Sequence, residues 1–351
     1  MSISKIDFIK GIEGDYVETK KNHLFFDIKG VHHPKDRKIC FIRFHPDPLG
    51  DREKNGIKYK KIYDLRERYS YLKREYPEYL FYSEQLDLEL QGVKNEDILK
   101  IYTPRDYYAE LLKKSDLSRL EKCSLELCEL FISDGNLPKG SIGITGSPMI
   151  GLNKEISDID IMIYGTETSL DFQKSLSEII KDSNNFCREY ALQEYQVHYD
   201  WRVGGSDIPF DKFLQCERRK LHQGMYKGFE FFIRYLKSPK DWQGGYYDYK
   251  YKNLGRIKIR ANILDSTDSI FTPCSYEIEV SKILENESSK KNIKKQEILK
   301  VNSFRGRFCE HAIKGEDVII EGKLERVLYK NNEKYYRILL SDQARDKMIC
   351  A

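Results

Sequence analysis

Apolar and polar residues alternate along most of the chain, and the period of the alternation changes from one stretch to the next. Residues 1–102 contain short runs with a period of two, such as HLFFDIKG from His23 and ICFIRF from Ile39, with turn residues between them. Because successive side chains of a strand point to opposite faces, a period of two predicts β-strands. Residues 1–102 are therefore predicted to form an N-terminal α+β region.

A helical period dominates residues 103–182. Thr103 is a good N-cap and Pro104 suits the first helical position, so a helix is predicted to begin there. Two longer helices are predicted at about 115–133 and 169–182, each with an apolar stripe. Strands are predicted at 141–145, around Asp158 and in FEFFIRYLK. Residues 184–228 have an ambiguous period and are predicted as helices. This order predicts a central α/β core over residues 103–240, followed by a linker over 237–251.

Residues 250–351 predict an all-β domain. Five runs of strand-forming residues follow one another between polar turns, with Asn331-Asn332 predicted as a tight hairpin. The runs are RIKIRANIL, CSYEIEV, EILKVNSFRGRF, DVIIEGKLERVLY and KYYRILL. Five strands of this size predict a small OB-like β-barrel. The predicted fold class is thus α+β and multidomain.

The composition of the chain says more about the environment in which the protein works than about its function. The net charge of +4 is mild, so a polyanionic partner must be argued from local clusters of charge. The eight cysteines form no CxxC pair, which predicts reduced thiols rather than a zinc module or a disulfide framework. No apolar run is long enough to cross a bilayer, and the N-terminus lacks the pattern of a signal peptide. A cytoplasmic protein without a membrane anchor is expected.

The candidate chemistry concentrates in GITGSPMIGLNKEISDIDIMIYG, which spans residues 143–165. Asp158 and Asp160 stand two apart on a predicted strand and therefore point to the same side. Neighbouring carboxylates favour a divalent cation, Mg²⁺ or Mn²⁺, since hard cations take oxygen ligands. Gly146 allows a phosphate to approach the backbone, Ser147 offers a hydroxyl, and the N-terminus of the helix predicted after them would favour an anion.

These residues resemble the signature of the DNA polymerase β-like nucleotidyltransferase superfamily. The resemblance rests on a Gly-Ser pair at the start of a helix, here Gly146 and Ser147, and on Asp-x-Asp in the next strand, here Asp158 and Asp160. More broadly, HPDPLGDR in the N-terminal region and GKLERV in the barrel look like a group of archaeal proteins described as predicted nucleotidyltransferases. The resemblance implies transfer of a nucleoside monophosphate from an NTP to an acceptor hydroxyl, with Mg²⁺ ions about 3.5–4 Å apart.

The same resemblance implies a third carboxylate on a neighbouring strand. Glu230 is the first candidate because it is a lone acid in an apolar strand, where an unpaired charge would be costly. Asp200 is the alternative, unless its segment QVHYDWRV is a helix. Bidentate guanidinium groups suit phosphate geometry. The candidate contacts for the triphosphate or a primer are Arg218, Arg219, Lys220 and Arg234.

The flanking regions suggest the acceptor. Basic residues interleaved with tyrosines between residues 37 and 76 either bind nucleic acid or form a solvated helix face. Arg256, Lys258 and Arg260 share one face of the first barrel strand and predict a surface for single-stranded nucleic acid. An RNA or DNA acceptor is therefore expected. The alternatives are a non-catalytic nucleic-acid-binding protein on this scaffold, or an enzyme that nucleotidylates a protein or a small molecule.

Overall fold

The computed structural model describes residues 10–182, 184–203, 205–330 and 332–351. These residues form two compact units, each a mixture of helices and strands, so the predicted α+β class is confirmed. The first unit comprises residues 10–83, Leu88–Arg188 and His222–Tyr246. The second unit comprises Glu84–Asp87, Glu189–Leu221 and Tyr247–Ala351. The three domain ranges derived from the sequence stay predictions.

An eight-stranded antiparallel sheet opens the first unit. Its strands are β1 (Tyr16–Thr19), β2 (Phe25–Ile28), β3 (Arg37–Pro46), β4 (Arg52–Lys54), β5 (Ile57–Lys61), β6 (Leu80–Ser83), β7 (Leu88–Lys94) and β8 (Ile98–Tyr102). The main path runs β4-β5-β3-β2-β1-β8, and β7 joins both β3 and β6. The helix α1 (Leu65–Glu75) follows β5. The strands predicted at residues 23–30 and 39–44 are confirmed as β2 and β3.

A second, five-stranded sheet carries the central motif. Its strands are β9 (Ile142–Thr145), β10 (Ile159–Tyr164), β11 (Cys187–Arg188), β12 (Gln223–Tyr226) and β13 (Phe229–Leu236). The order is β11-β12-β13-β10-β9, and only β10 and β13 run parallel. The prediction of helices over residues 184–228 was wrong for β11 and β12, because β11 pairs with β12 and β12 takes β13 as its antiparallel partner. A local pattern of residues cannot reveal that partner.

Three further helices belong to the first unit. They are α2 (Pro104–Leu111), α3 (Arg119–Ser133) and α4 (Thr166–Lys181). Thr103 caps α2 by accepting a hydrogen bond from the backbone N–H of Asp106, as predicted. Ser118 and Glu121 form a capping box, so α3 begins at Arg119 rather than near residue 115. The three predicted helices are thus present, with shifted boundaries.

The second unit contains two helices and a ring-like sheet. The helices are α5 (Leu192–Val203) and α6 (Phe210–Glu217), and the strands are β14 (Tyr249–Asp265), β15 (Cys274–Asn286), β16 (Ile298–Ser303), β17 (Asp317–Tyr329), β18 (Glu333–Leu340) and β19 (Lys347–Cys350). The order β14-β15-β16-β18-β17 closes because β17 also pairs with β14. The five predicted strands are present, while the short β19 was not predicted. Tyr329 pairs with Glu333, but Asn331 of the predicted hairpin lies outside the described residues.

The ring encloses a core of aliphatic and aromatic side chains, including Ile259, Phe308 and Ile338. Alternation along β14 places Ile257, Ile259, Ala261 and Ile263 inside, as predicted. Among the helices of the described ranges, none has the length and apolar character needed to span a bilayer.

Candidate functional site

A cleft in the first unit is lined by residues of the central motif. The motif contributes Gly146, Ser147, Asp158 and Asp160, and β13 contributes Arg234. The eight-stranded sheet supplies much of the remaining lining, namely Tyr16, Asp27, Arg43, Phe44 and Lys61. The structure therefore brings together the Gly-Ser pair, the Asp pair and one of the four predicted phosphate contacts.

Strand register sets where the carboxylates point. Asp160 of β10 stands opposite Thr145 of β9 and Phe232 of β13. Its neighbours Ile159 and Ile161 are fully buried on the other face of the sheet. Asp158 immediately precedes β10, and Glu230 immediately precedes Phe231, the partner of Ile159. Alternation therefore places the three acids on one face.

The backbone at Gly146 lies close to the carboxylate of Asp160. Gly146 has a φ of +82°, a conformation that favours glycine, and a Cβ added there would overlap Oδ2 of Asp160. Ser147 precedes a 3₁₀ turn at Pro148–Ile150, which Gly151 ends with a φ of +70°. Three residues are too few to build up a helix dipole. The helix predicted after Ser147 is present only as this single turn, and an anion site at its N-terminus stays a prediction.

Side chains of β4 hold this turn in place. Arg52 donates to the carbonyl of Leu152 at 2.6 Å, and Lys54 donates to the carbonyl of Ile150 at 2.8 Å. Beside them, Asp51 forms an ion pair with Lys154. Met149, Ile150 and Leu152 are buried in one cluster with Phe25, Phe44 and Tyr59. Arg52 at the end of HPDPLGDR, Lys54 and this apolar cluster thus hold the loop that follows Gly146.

Burial and the charges of neighbouring acids shift the protonation of Asp158. Desolvation, then the negative charges of Asp160 and Glu230, raise the pKa of the Asp158 carboxyl to about 6. The ammonium of Lys61 acts in the opposite direction. Because part of the Asp158 side chain remains exposed to water, solvent weakens these interactions. A cation placed between the acids would relieve the repulsion.

A group of cations faces the acids across the cleft. Lys61 has its pKa lowered to about 8 by desolvation and by the nearby Arg43 and Arg52. Desolvation opposes the charge on Arg234, but Asp27, Asp160 and Glu13 more than compensate and raise its pKa. Such guanidinium groups stay charged and suit phosphate oxygens.

The buried acids beneath these cations are themselves paired. Lys29 contacts Asp27 at 2.9 Å and Glu13 at 3.2 Å, and Arg234 contacts Glu13 at 3.4 Å. Desolvation opposes the ionisation of Asp27, yet Lys29, Arg234 and Arg43 hold its pKa below the ordinary value. This network fixes Arg234 in position at the floor of the cleft.

The donor set fits Mg²⁺ with incomplete protein ligation. In the described part of the chain, no three side chains of His, Cys, Asp or Glu converge as a ready-made metal cluster. Mg²⁺ commonly uses one or two carboxylates and completes its octahedron with water and substrate phosphate oxygens. Asp158 and Asp160 supply two such carboxylates, and the repulsion between them favours a cation.

The two candidates for the third carboxylate differ in position. Glu230 is half-buried on β13 and, although it does not line the cleft, its charge acts on Asp158. Asp200 is exposed on α5 in the second unit. Because its segment is a helix, Asp200 is no longer a candidate for the third carboxylate.

The basic triplet predicted to contact phosphate lies in the second unit. Arg219 forms an ion pair with Glu316 at 2.5 Å, and Lys220 is buried against Glu217 and the carbonyl of Arg307. Arg218 is exposed at the end of α6. The structure thus holds Arg219 and Lys220 through contacts within their own unit, and a nucleotide-binding role for the triplet stays a prediction.

The basic stripe on β14 is partly neutralised. Arg256 contacts Asp346 at 2.7 Å and Glu321 at 3.4 Å, and Lys258 contacts Glu285 at 3.0 Å. Arg260 is exposed. A role in nucleic-acid binding stays a prediction for all three, and the ion pairs reduce the charge that Arg256 and Lys258 offer to phosphate.

Sequence reasoning missed the contribution of the eight-stranded sheet. Asp27 and Arg43 were present as lone charges within the apolar runs LFFDI and ICFIRF. A lone charge in a buried strand is as costly for Asp27 and Arg43 as it is for Glu230. The signal that could have found them was therefore already in the sequence.

Comparison with known proteins gives an uncharacterized archaeal relative and no matching family model. The chain is 27% identical over 336 residues to an uncharacterized protein of Methanocaldococcus jannaschii, covering 93% of this chain and 94% of that protein. No family model matches the sequence, and no solved structure matches the chain.

Replacing Gly146 with alanine should destabilise the protein by more than the usual cost of alanine at positive φ, which is about 1–2 kcal/mol. The additional loss comes from the overlap of Cβ with the Asp160 carboxylate. Gly140→Ala is the matched control, since Gly140 has a φ of +89° with open space around its Cβ position. Urea unfolding measures both variants, and equal losses would contradict the proposed close approach.

Asp158→Asn should gain stability relative to the wild type as the pH rises from about 4 to 6. The folded pKa of about 6 lies above the ordinary 3.8, so the folded state holds the proton more tightly and ionisation costs stability across this window. Asparagine cannot ionise and escapes this cost. Urea unfolding without divalent cations at pH 4 and 7 measures the difference, and a constant or falling difference would refute the raised pKa.

Proposed function

We propose that this protein is a Mg²⁺-dependent nucleotidyltransferase that moves a nucleoside monophosphate from an NTP to an acceptor hydroxyl. The observation that carries the proposal is the approach of the Gly146 backbone to the Asp160 carboxylate, in a cleft that also holds Arg43, Lys61 and Arg234. A triphosphate needs both a cation site and fixed positive groups. In this proposal the five-stranded sheet is a polymerase β-like core and the ring-like sheet is an OB-like barrel.

Asp158 and Asp160 would hold the cation, and Glu230 would add negative charge beside Asp158. Mg²⁺, or Mn²⁺ in its place, would neutralise phosphate charge and favour the ionised form of the acceptor hydroxyl. Arg43, Arg234 and Lys61 would bind the phosphate oxygens. The backbone and hydroxyl at Gly146 and Ser147 would orient the triphosphate. Arg234 is well suited, because its contact with Glu13 limits its motion before a ligand binds.

The reaction joins the acceptor oxygen to the α-phosphorus and breaks the bond from that phosphorus to the bridging oxygen. Pyrophosphate leaves with the bonding electron pair, and the hydroxyl proton is released to water. The residues of the cleft contribute position and charge rather than a covalent intermediate, as is usual for phosphoryl transfer. A nucleic-acid end is the proposed acceptor, on the basis of the basic and aromatic residues of the N-terminal region and the barrel.

Asp158→Asn and Asp160→Asn should each reduce transfer of labelled NMP by more than about 100-fold, since loss of a supporting residue alone can cost up to that much in metal sites. The assay incubates the protein with each labelled NTP, Mg²⁺ or Mn²⁺, and total cellular RNA. Mg²⁺ together with a nucleoside triphosphate should also raise the melting temperature of the wild type and not that of the two variants. Chelation with EDTA should abolish both effects.

The matched control is Asp171→Asn, which removes an exposed aspartate on α4 that forms an ion pair with Lys174. It should retain full transfer. Transfer retained by both cleft variants would refute the proposal. A wild type that binds RNA but labels nothing with any NTP would favour the non-catalytic binding protein. Label found on the protein itself would favour protein nucleotidylation.

A further inference from the structure

An exposed tyrosine stands beside the cleft without lining it. Tyr63 is 60% exposed, whereas Tyr16 and Phe44, the aromatic residues that do line the cleft, are 5% and 0% exposed. The Nζ of Lys61, which lines the cleft, lies 4.7 Å from the centroid of the Tyr63 ring and 5.9 Å from that of Phe44. A single exposed aromatic residue is ordinary on a protein surface, so its meaning depends on its position and rigidity.

The backbone that carries Tyr63 is held on both sides. Arg68, itself buried, donates to the carbonyl of Ile62 at 3.1 Å and to that of Tyr63 at 2.9 Å. On the next residue, Asp64 caps α1 by accepting a hydrogen bond from the backbone N–H of Glu67. The ring is therefore exposed on a fixed support rather than on a loose loop.

The hydroxyl of Tyr63 connects the ring to the Gly146 turn. Arg52 donates to the Tyr63 hydroxyl at 3.3 Å and, through its other terminal nitrogen, to the carbonyl of Leu152 at 2.6 Å. One buried guanidinium thus orients the ring relative to the loop that borders the cleft. The cation of Lys61 over the same ring adds a further attraction.

We propose that Tyr63 is the stacking platform for the nucleobase of the NTP whose triphosphate occupies the cleft. This inference rests on the proposed function and specifies its ligand, since a base is the apolar, planar end of a nucleotide. Lys61 would contact phosphate or ribose on one side and the Tyr63 ring on the other. Stacking on an aromatic ring tolerates every base. The platform therefore favours nucleotides over inorganic polyphosphate without selecting among the four.

The test compares binding of α,β-methylene-ATP and of inorganic tripolyphosphate, each with Mg²⁺, by calorimetry. Tyr63→Ala should weaken binding of the nucleotide about tenfold or more and leave that of tripolyphosphate unchanged. Tyr63→Trp should keep the wild-type nucleotide affinity. Tyr82→Ala is the matched control, since Tyr82 is 59% exposed on β6 and does not line the cleft, and it should change neither affinity.

The outcomes separate the two proposals. A wild type that binds neither ligand would overturn the nucleotide site and the platform together. Binding of both ligands with nucleotide affinity unaltered in Tyr63→Ala would overturn the platform alone. An equal loss for nucleotide and tripolyphosphate would also overturn it, because Tyr63 would then act through Lys61 on phosphate rather than on the base. Thermal unfolding confirms that each variant is folded.

Discussion

The arrangement of the first unit depends on like charges held close together on one strand face. Asp158 and Asp160 cannot separate, because alternation along β10 fixes their side chains while Ile159 and Ile161 anchor the strand in the core. Cations from both sheets of the unit offset this repulsion. Arg43 and Lys61 come from β3 and β5, and Arg234 comes from the strand parallel to β10. The eight-stranded sheet is thus an electrostatic partner of the motif as well as its packing partner.

A second constraint is steric. The turn at Gly146 can approach Asp160 only because no Cβ is present, and the approach persists because Arg52 and Lys54 hold the following carbonyls. Two residues of one short edge strand therefore determine how a turn nearly a hundred residues later in the chain meets a carboxylate. Removing the side chain of either would loosen the turn without touching the acids. Some residues thus position the turn while others supply the charge. This division is typical of sites whose geometry is set before a ligand binds.

Sequence patterns predicted the helices and strands better than they predicted which strands and side chains contact one another. The Gly-Ser turn, the Asp pair, α2 and the five main strands of the ring all follow from local signals such as N-caps and alternation. Local signals do not reveal contacts between distant residues. Arg219, for example, pairs with Glu316, which lies 97 residues later in the chain. β12 and β19 are each four residues long, too short for periodicity to separate strand from loop. Asp27 and Arg43 could be recognised as lone charges in apolar strands. That both line the same cleft depends on the order of the strands in the sheet, which the sequence pattern does not show.

Charge balance in the cleft bears on what it can bind. Three acids, Asp27, Asp158 and Asp160, oppose three bases, Arg43, Lys61 and Arg234, so the lining carries equal numbers of acidic and basic side chains. A triphosphate entering alone would gain little, because its attraction to the bases is offset by repulsion from the acids. A divalent cation entering alone would also gain little, because its attraction to the acids is offset by repulsion from the bases. The two together satisfy both halves of the lining at once. Under the proposed function, the cation and the triphosphate should therefore bind cooperatively, and the balance itself would exclude anions that arrive without a metal.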